Sequence, residues 1–234
     1  MASTCCKPLA FFYGRGCLPK LKAFRRVVLQ PWAYTPEELE ALRPTAALAY
    51  LSVGEEAGPP GPWRRGGPIP EWGTYPADPA HPGWVTLVVE RALVYLARGF
   101  QGLFLDNLDQ AAAASREATL HLLWEVRRAT EPMYLLVNRG FDLLPQLGHL
   151  AHGIVFESFT TTWQDGGKLL PRSTLRRNAH VAQTLANFPW ERYSLDYAPE
   201  PCLAHLAVRR AFRYGLYPLV AKERHLLQPT DTGG

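Results

Sequence analysis

The 234-residue sequence predicts an α/β fold, a single (β/α)8 TIM-like barrel, on three observations. Short apolar runs alternate with helix-like segments, which is the pattern of parallel α/β architecture. The runs are apolar almost throughout rather than strictly alternating, as strands covered on both faces must be. They number eight, within a length that one such barrel occupies comfortably.

Taken in order, residues 9–14 (LAFFYG) and 26–30 (RVVLQ) are the first two runs, joined by a short connection. Thr35-Pro36-Glu37-Glu38 then starts a helix, with a capping threonine, a proline at the first position and a glutamate at the third. The third run, 46–54 (AALAYLSVG), leads into residues 55–83, which are too rich in proline and glycine for helix or strand. A long Pro/Gly/Trp-rich loop after strand 3 is therefore expected, and loops of that length in compact folds are usually lids or binding loops. Residues 84–99 place Val85, Val88, Val89, Ala92, Leu93 and Leu96 on one stripe and stop at Gly99. There follow a fourth run at 102–106 (GLFLD), a helix over 115–130, a fifth run at 133–138 (MYLLVN) and a short segment interrupted by Pro145. The last runs are 153–158 (GIVFES), 192–197 (RYSLDY) and 216–221 (LYPLVA), with a helix over 200–215. No linker divides the chain, so residues 1–234 read as one domain with the barrel at about 9–222 and the termini outside it.

Composition narrows the function. The net charge of +4 comes from scattered pairs such as Arg127-Arg128, Arg176-Arg177 and Arg209-Arg210, each inside a helix-like segment. Such pairs are solvated helix faces, and a nucleic-acid groove would need them gathered on one surface. Cys5, Cys6, Cys17 and Cys202 lack the paired spacing of a zinc site, and the seven histidines form no pair at ligand spacing. No metal and no cofactor are expected. The first residues, MASTCCKPLAFFYGRG, lack the apolar core of an export signal, and no stretch of about 18 apolar residues could span a bilayer. The reading is a soluble monomer with neither a membrane nor a nucleic-acid partner.

The ends of the runs carry the chemistry. The third run is followed by Glu55 and Glu56, the fourth ends in Asp106 with Asp109 beyond, the fifth in Asn138 and Arg139, the sixth in Glu157 and Ser158. The seventh ends in Asp196 and Tyr197, and the eighth is followed by Lys222 and Glu223. The amino-terminal ends of the runs show nothing comparable. In a parallel barrel all carboxyl ends meet on one rim, where the active sites of this architecture sit. Glu55, Asp106, Asp109, Glu157 and Asp196 would thus converge on an acidic pocket in which like charges push pKa values apart, as an acid paired with a base or nucleophile requires. Hydrolysis of a glycosidic bond uses such a pair. Trp63, Trp72 and Tyr75 in the long loop offer flat faces for sugar rings, or pin the loop to the barrel. Taken alone, Asp109 reads as a helix cap or turn residue, Lys222 as an exposed or salt-bridged lysine rather than a Schiff base, and the DNLD cluster as a weak cation site. Ser52 and Ser158 lack the nucleophile elbow of acyl transfer.

Five of these motifs occur in one order: AYLSVGEE followed by a Trp-containing loop, GFQGLFLDNLD, YLLVNRG, GIVFESF and SLDYA. From about residue 11 to 221 the chain resembles glycoside hydrolase family 114, the endo-alpha-1,4-polygalactosaminidase-like barrels. The resemblance implies an endo-acting glycosidase for an alpha-1,4-linked galactosamine-containing polysaccharide, with Asp106 and Glu157 as its carboxylate pair. Glu157 would be the proton donor, and Asp106 the nucleophile or transition-state stabiliser. Glu55, Asp109, Asn138, Arg139, Asp196, Tyr197, Trp63 and Trp72 would bind substrate. Members of the family are commonly exported. The alternatives are a carbohydrate-binding barrel without chemistry, a glycosidase for another glycan, and a metal-dependent lyase or aldolase on the same scaffold.

Overall fold

The computed structural model describes residues 7–58 and 61–231; Cys5 and Cys6 lie outside them. Eight parallel strands form one sheet in chain order: β1 (Lys7–Phe12), β2 (Phe24–Leu29), β3 (Ala46–Ser52), β4 (Gly102–Asp106), β5 (Tyr134–Asn138), β6 (Gly153–Glu157), β7 (Glu191–Tyr197) and β8 (Tyr217–Ala221). Each falls on one of the apolar runs. The helices are α1 (Leu18–Leu21), α2 (Pro36–Ala41), α3 (Pro82–Ala97), α4 (Leu108–Ala114), α5 (Arg116–Thr130), α6 (Arg172–Leu185) and α7 (Pro201–Arg213). The architecture is a (β/α)8 barrel.

Both faces of the strands are apolar because both are covered. Leu9, Phe11, Val28, Leu48, Phe104, Leu136, Val155, Leu195 and Leu219 fill the inside, with at least one from every strand. Their chain neighbours Ala10, Val27, Ala47, Leu103, Leu105 and Ile154 pack outward beneath the helices. The predicted start of α2 is a complete capping box: Thr35 N–H donates to Glu38 Oε2 at 2.9 Å, and Glu38 N–H to Thr35 Oγ1 at 3.3 Å. After β5 the chain makes only two short 3-10 turns, Phe141–Leu143 and Gln146–His149, on either side of Pro145.

Three features were not foreseen. A short helix, α4, precedes α5 directly after β4. The barrel wall also runs past residue 222. Between β8 and β1 the later chain fills the seam: Thr230 N–H donates to Phe11 O and Phe11 N–H to Thr230 Oγ1, while Val220 and Asp231 exchange two backbone bonds of 2.8 Å. Phe11 on the β1 edge and Val220 on the β8 edge are thereby satisfied. Finally, the amino-terminal strand ends are not featureless. Glu191 at the start of β7 accepts from Arg26 Nη1 at 2.7 Å, Tyr134 Oη at 2.9 Å and Tyr193 Oη at 2.6 Å, and it pairs with Arg25. That cluster draws on β2, β5 and β7, so no single stretch of sequence displays it.

The long loop is as expected, with some order of its own. Glu55–Glu56 pairs antiparallel with Tyr75–Pro76, and α3 begins at Pro82. Trp84, fully buried, donates its indole N–H to Val53 O at 2.9 Å and ties the start of α3 to the end of β3.

Candidate active site

Adjacent strands β4, β5 and β6 end on Asp106, Asn138 and Glu157. Each is followed by a non-glycine residue in the left-handed region: Asn107 at φ 64°, Arg139 at φ 56° and Ser158 at φ 56°. That conformation costs an L-residue about 1–2 kcal/mol and is found where function requires it. Here it turns the chain sharply off each strand and leaves three consecutive strand-end side chains facing one cavity of about 690 Å³.

Asn138 joins the two acids. Its Nδ2 donates to Asp106 Oδ1 at 2.8 Å and to Glu157 Oε2 at 2.6 Å. The two acceptor oxygens are no further apart than those bonds laid end to end. Glu157 Oε1 accepts from Tyr197 Oη at 2.6 Å, so both of its oxygens are held. Burial raises the Glu157 carboxyl above the usual range, and the Asp106 charge raises it further, against the pull of Tyr197, Asn138 and Arg139. Glu55 is also raised, by burial first and by Asp106 to a smaller degree, while the Thr74 hydroxyl, donating to Glu55 Oε2 at 2.6 Å, opposes the shift.

Asp109 is not a helix cap. It lies in the first turn of α4, receives Arg139 Nε at 2.5 Å and the Gly140 N–H at 2.8 Å, and so anchors the turn that follows Asn138. Arg139 in turn donates Nη1 to Glu157 O at 3.1 Å. Both line the cavity, as do Glu55, Tyr197 and Trp72.

Two expected substrate contacts lie elsewhere. Asp196 is buried on the outward side of β7, where its Oδ1 accepts from Thr160 N–H at 2.6 Å and Thr161 N–H at 2.8 Å. Burial lifts its pKa to about 6, against those two bonds. Trp63 donates to Glu56, which Arg91 also holds, and packs on Trp84 and His81. It pins the loop. Lys222 is exposed, and Glu223 accepts from Leu227 N–H rather than pairing with it. Ser52 accepts from Glu55 N–H and Asn107 Nδ2, each at 3.0 Å, and shapes the turn.

The sequence reading missed Tyr13, Tyr50, Trp163 and Arg224, all of which line the cavity. Burial, reinforced by Asp106, keeps the Tyr13 and Tyr50 hydroxyls protonated far above neutrality. An aromatic residue in an apolar run reads as core, and only its position near a strand end could have marked it. Among the described residues no cluster of three His, Cys, Asp or Glu side chains could hold a metal ion, and no helix is long and apolar enough to cross a membrane.

No family model matches the sequence. No curated protein matches it either. Solved structures do. The glycoside hydrolase domain of PelA from Pseudomonas aeruginosa superposes with a TM-score of 0.82 at 25% identity, over 96% of this chain and 98% of that one. The chain is similar to the glycoside hydrolase family 114 barrels. Ega3 of Aspergillus fumigatus, crystallised in complex with galactosamine, shares the fold with a TM-score of 0.76 at 11% identity, over 96% of this chain and 93% of that one. The likeness to family 114 thus spans nearly the whole barrel, including the strands that end on Asp106 and Glu157.

Proposed function

We propose that this chain is an endo-acting glycoside hydrolase for an alpha-1,4-linked, galactosamine-containing polysaccharide, with Asp106 and Glu157 as its catalytic pair. The observation that carries the proposal is the single amide, Asn138 Nδ2, shared by the two carboxylates at 2.8 and 2.6 Å. The nearest oxygens are thus closer than the roughly 6.5–9.5 Å that inverting enzymes leave for a water, which favours the retaining arrangement. Support comes also from PelA, whose matched region is a glycoside hydrolase domain, and from Ega3, which binds galactosamine.

The chemistry follows from the electrostatics. Glu157, held above the usual carboxyl range, enters protonated and gives its proton to the glycosidic oxygen as that bond breaks. Asp106 attacks the anomeric carbon and forms a glycosyl ester. Glu157, now ionised, takes a proton from water; the water oxygen displaces Asp106, and both carboxyls return to their starting state. Asn138 meets a carboxylate on each side, so it keeps the pair in register while the negative charge moves from one to the other. Glu55 and Asp106 attract the ammonium of a deacetylated galactosamine. Tyr197 and Arg139 hold Glu157, and Trp72 offers a stacking face. Asp109 acts through Arg139.

Incubation with galactosaminogalactan and a panel of other polysaccharides, with released oligosaccharides read by mass spectrometry, tests the proposal. Cleavage confined to the galactosamine polymer and lost in Glu157→Gln supports it. Sugar binding without cleavage would instead identify a binding barrel. Cleavage of fully acetylated and deacetylated polymer at equal rates would remove the ammonium argument, and activity that survives exhaustive chelation excludes the lyase or aldolase alternative.

A further inference from the structure

The cavity does not end at the carboxylates. It continues into a second hollow of about 390 Å³, and Tyr197, Trp163, Arg224 and His225 line both. The sign of the charge changes along the way. Near the catalytic pair lie Glu55, Asp106 and Glu157, while Arg139 there is taken up by Asp109 and Arg91 by Glu56. In the second hollow lie Lys222 and Arg224, against one uncompensated acid: Asp165 pairs with Lys168, while Glu223, accepting from Leu227 N–H at 2.7 Å, keeps its charge and leaves the cations in excess. Arg224 is held in place. Its guanidinium carbon sits 5.1 Å from the ring centre of Trp72 and 5.4 Å from that of Trp163, and the two indoles meet edge to face at 5.6 Å. Trp72 comes from the loop after β3, Trp163 from the loop after β6 and Arg224 from the segment after β8.

We infer that this end of the cleft is a subsite for an uncharged sugar, N-acetylated or unsubstituted, stacked on the half-exposed face of Trp72, and that Arg224 excludes a sugar carrying a free ammonium. The inference rests on the proposed hydrolase reading and refines its substrate. A mobile lysine could swing away from an incoming cation, whereas a planar guanidinium resting beside an edge-to-face pair of indoles keeps its charge where it is. Selectivity built from repulsion is as effective as selectivity built from new contacts. The cleft therefore reads a pattern, with an ammonium favoured beside the carboxylates and refused at the tryptophan clasp. A partly acetylated polymer is the preferred substrate, and a fully deacetylated one places a cation against Arg224 wherever it binds.

The test digests galactosamine polymers of graded acetylation with the full chain and with Arg224→Gln and Arg224→Glu, and sequences the product ends by mass spectrometry. The unaltered chain is expected to leave an acetylated or neutral sugar at a fixed position on one side of the cut, enriched about fivefold over chance. Arg224→Glu should abolish that enrichment and speed the cutting of fully deacetylated polymer roughly tenfold, with Arg224→Gln between the two. Thermal melting of each variant checks that the barrel is intact. Cleavage with random ends, or an enrichment unchanged in Arg224→Glu, overturns this inference and leaves the hydrolase reading standing. If no galactosamine polymer is cut by the unaltered chain, both fall.

Discussion

The two ends of the barrel each hold a glutamate gripped by a tyrosine, and the two behave in opposite ways. At the carboxyl-terminal mouth, Glu157 accepts from Tyr197 and Asn138 and faces Asp106; burial and that second carboxylate raise it. At the amino-terminal floor, Glu191 accepts from Tyr193 and Tyr134 and faces Arg26 and Arg25. Burial pushes it up, yet the tyrosine bonds and the two cations outweigh burial and leave it below the usual range. Both accept from a tyrosine, so the deeper burial of Glu157 and the sign of the neighbouring charge together decide whether a carboxyl is raised or stays a fixed anion. In barrels of this kind the floor serves stability and the mouth serves chemistry.

The largest expected effect separates these roles. Glu157→Gln and Asp106→Asn should each lower the rate of polymer cleavage by about 10²–10⁴-fold. Glu191→Gln should leave the rate of the folded protein within about twofold, because its contacts lie at the far end of the barrel. An equal loss of turnover in Glu191→Gln would dissolve the distinction.

Stability should move the other way. A carboxyl raised in the folded state carries a penalty that appears as pH rises past its unfolded value of about 4.3. Glu157→Gln removes that penalty, so at neutral pH the inactive variant should melt higher, by about 2–4 °C for each kcal/mol relieved. Glu191 is depressed in the folded state, so its stabilisation is present above about pH 4.3 and lost as pH falls through the lower folded value. Glu191→Gln should therefore melt lower at neutral pH, by about 1 kcal/mol once solvent screening of this partly exposed cluster is allowed for. The difference from the unaltered chain should vanish in acid. Melting curves across pH check both signs.

A smaller shift lies in the pH profile of activity. In the proposed reaction the alkaline limb reports loss of the Glu157 proton, and the Tyr197 hydroxyl lowers that pKa by bonding to the ionised form. Tyr197→Phe should move the limb to higher pH. Movement to lower pH would show that Tyr197 acts on Glu157 in some other way.

The comparison also explains what was legible in the sequence. The eight strands could be read because each is buried on both faces, and the carboxylates because a charge ending such a run needs a pocket. Asp196 met the same criterion and lies outside the pocket, for a reason that strand geometry contains. Side chains alternate along a strand: Phe104, Leu136 and Val155 point into the barrel, so Asp106, Asn138 and Glu157, two residues on, point inward as well. In β7 the inward residues are Tyr193, Leu195 and Tyr197, so Asp196 must face outward. Parity, added to strand-end position, picks the three that face the cavity. Trp63 and Trp72 could not be told apart because their loop has no period, and the Glu191 cluster and the seam at residues 230–231 depend on partners from distant stretches.

The smallest prediction concerns strain. Every non-glycine residue with positive φ among those described (Cys17, Asn107, Arg139, Ser158, Asp165 and Leu226) lies in a loop or segment that leaves the mouth. The floor turns after α3 and α7 instead use Gly99 at φ 110° and Gly215 at φ 68°. If the mouth holds strain that the floor avoids, supplying glycine there should release it, but only where the native side chain does nothing else. Ser158→Gly should gain up to about 1 kcal/mol, the left-handed penalty less the added freedom of the unfolded chain. Asn107→Gly should instead lose about 1 kcal/mol: asparagine tolerates this conformation, and its Nδ2 bond to Ser52 Oγ at 3.0 Å would be gone. Opposite shifts in chemical denaturation midpoint at unchanged slope would place the strain in the backbone after Glu157. A loss in both variants, larger in Asn107→Gly by the bond to Ser52, would mean that these turns are relaxed and that only the Asn107 side chain matters.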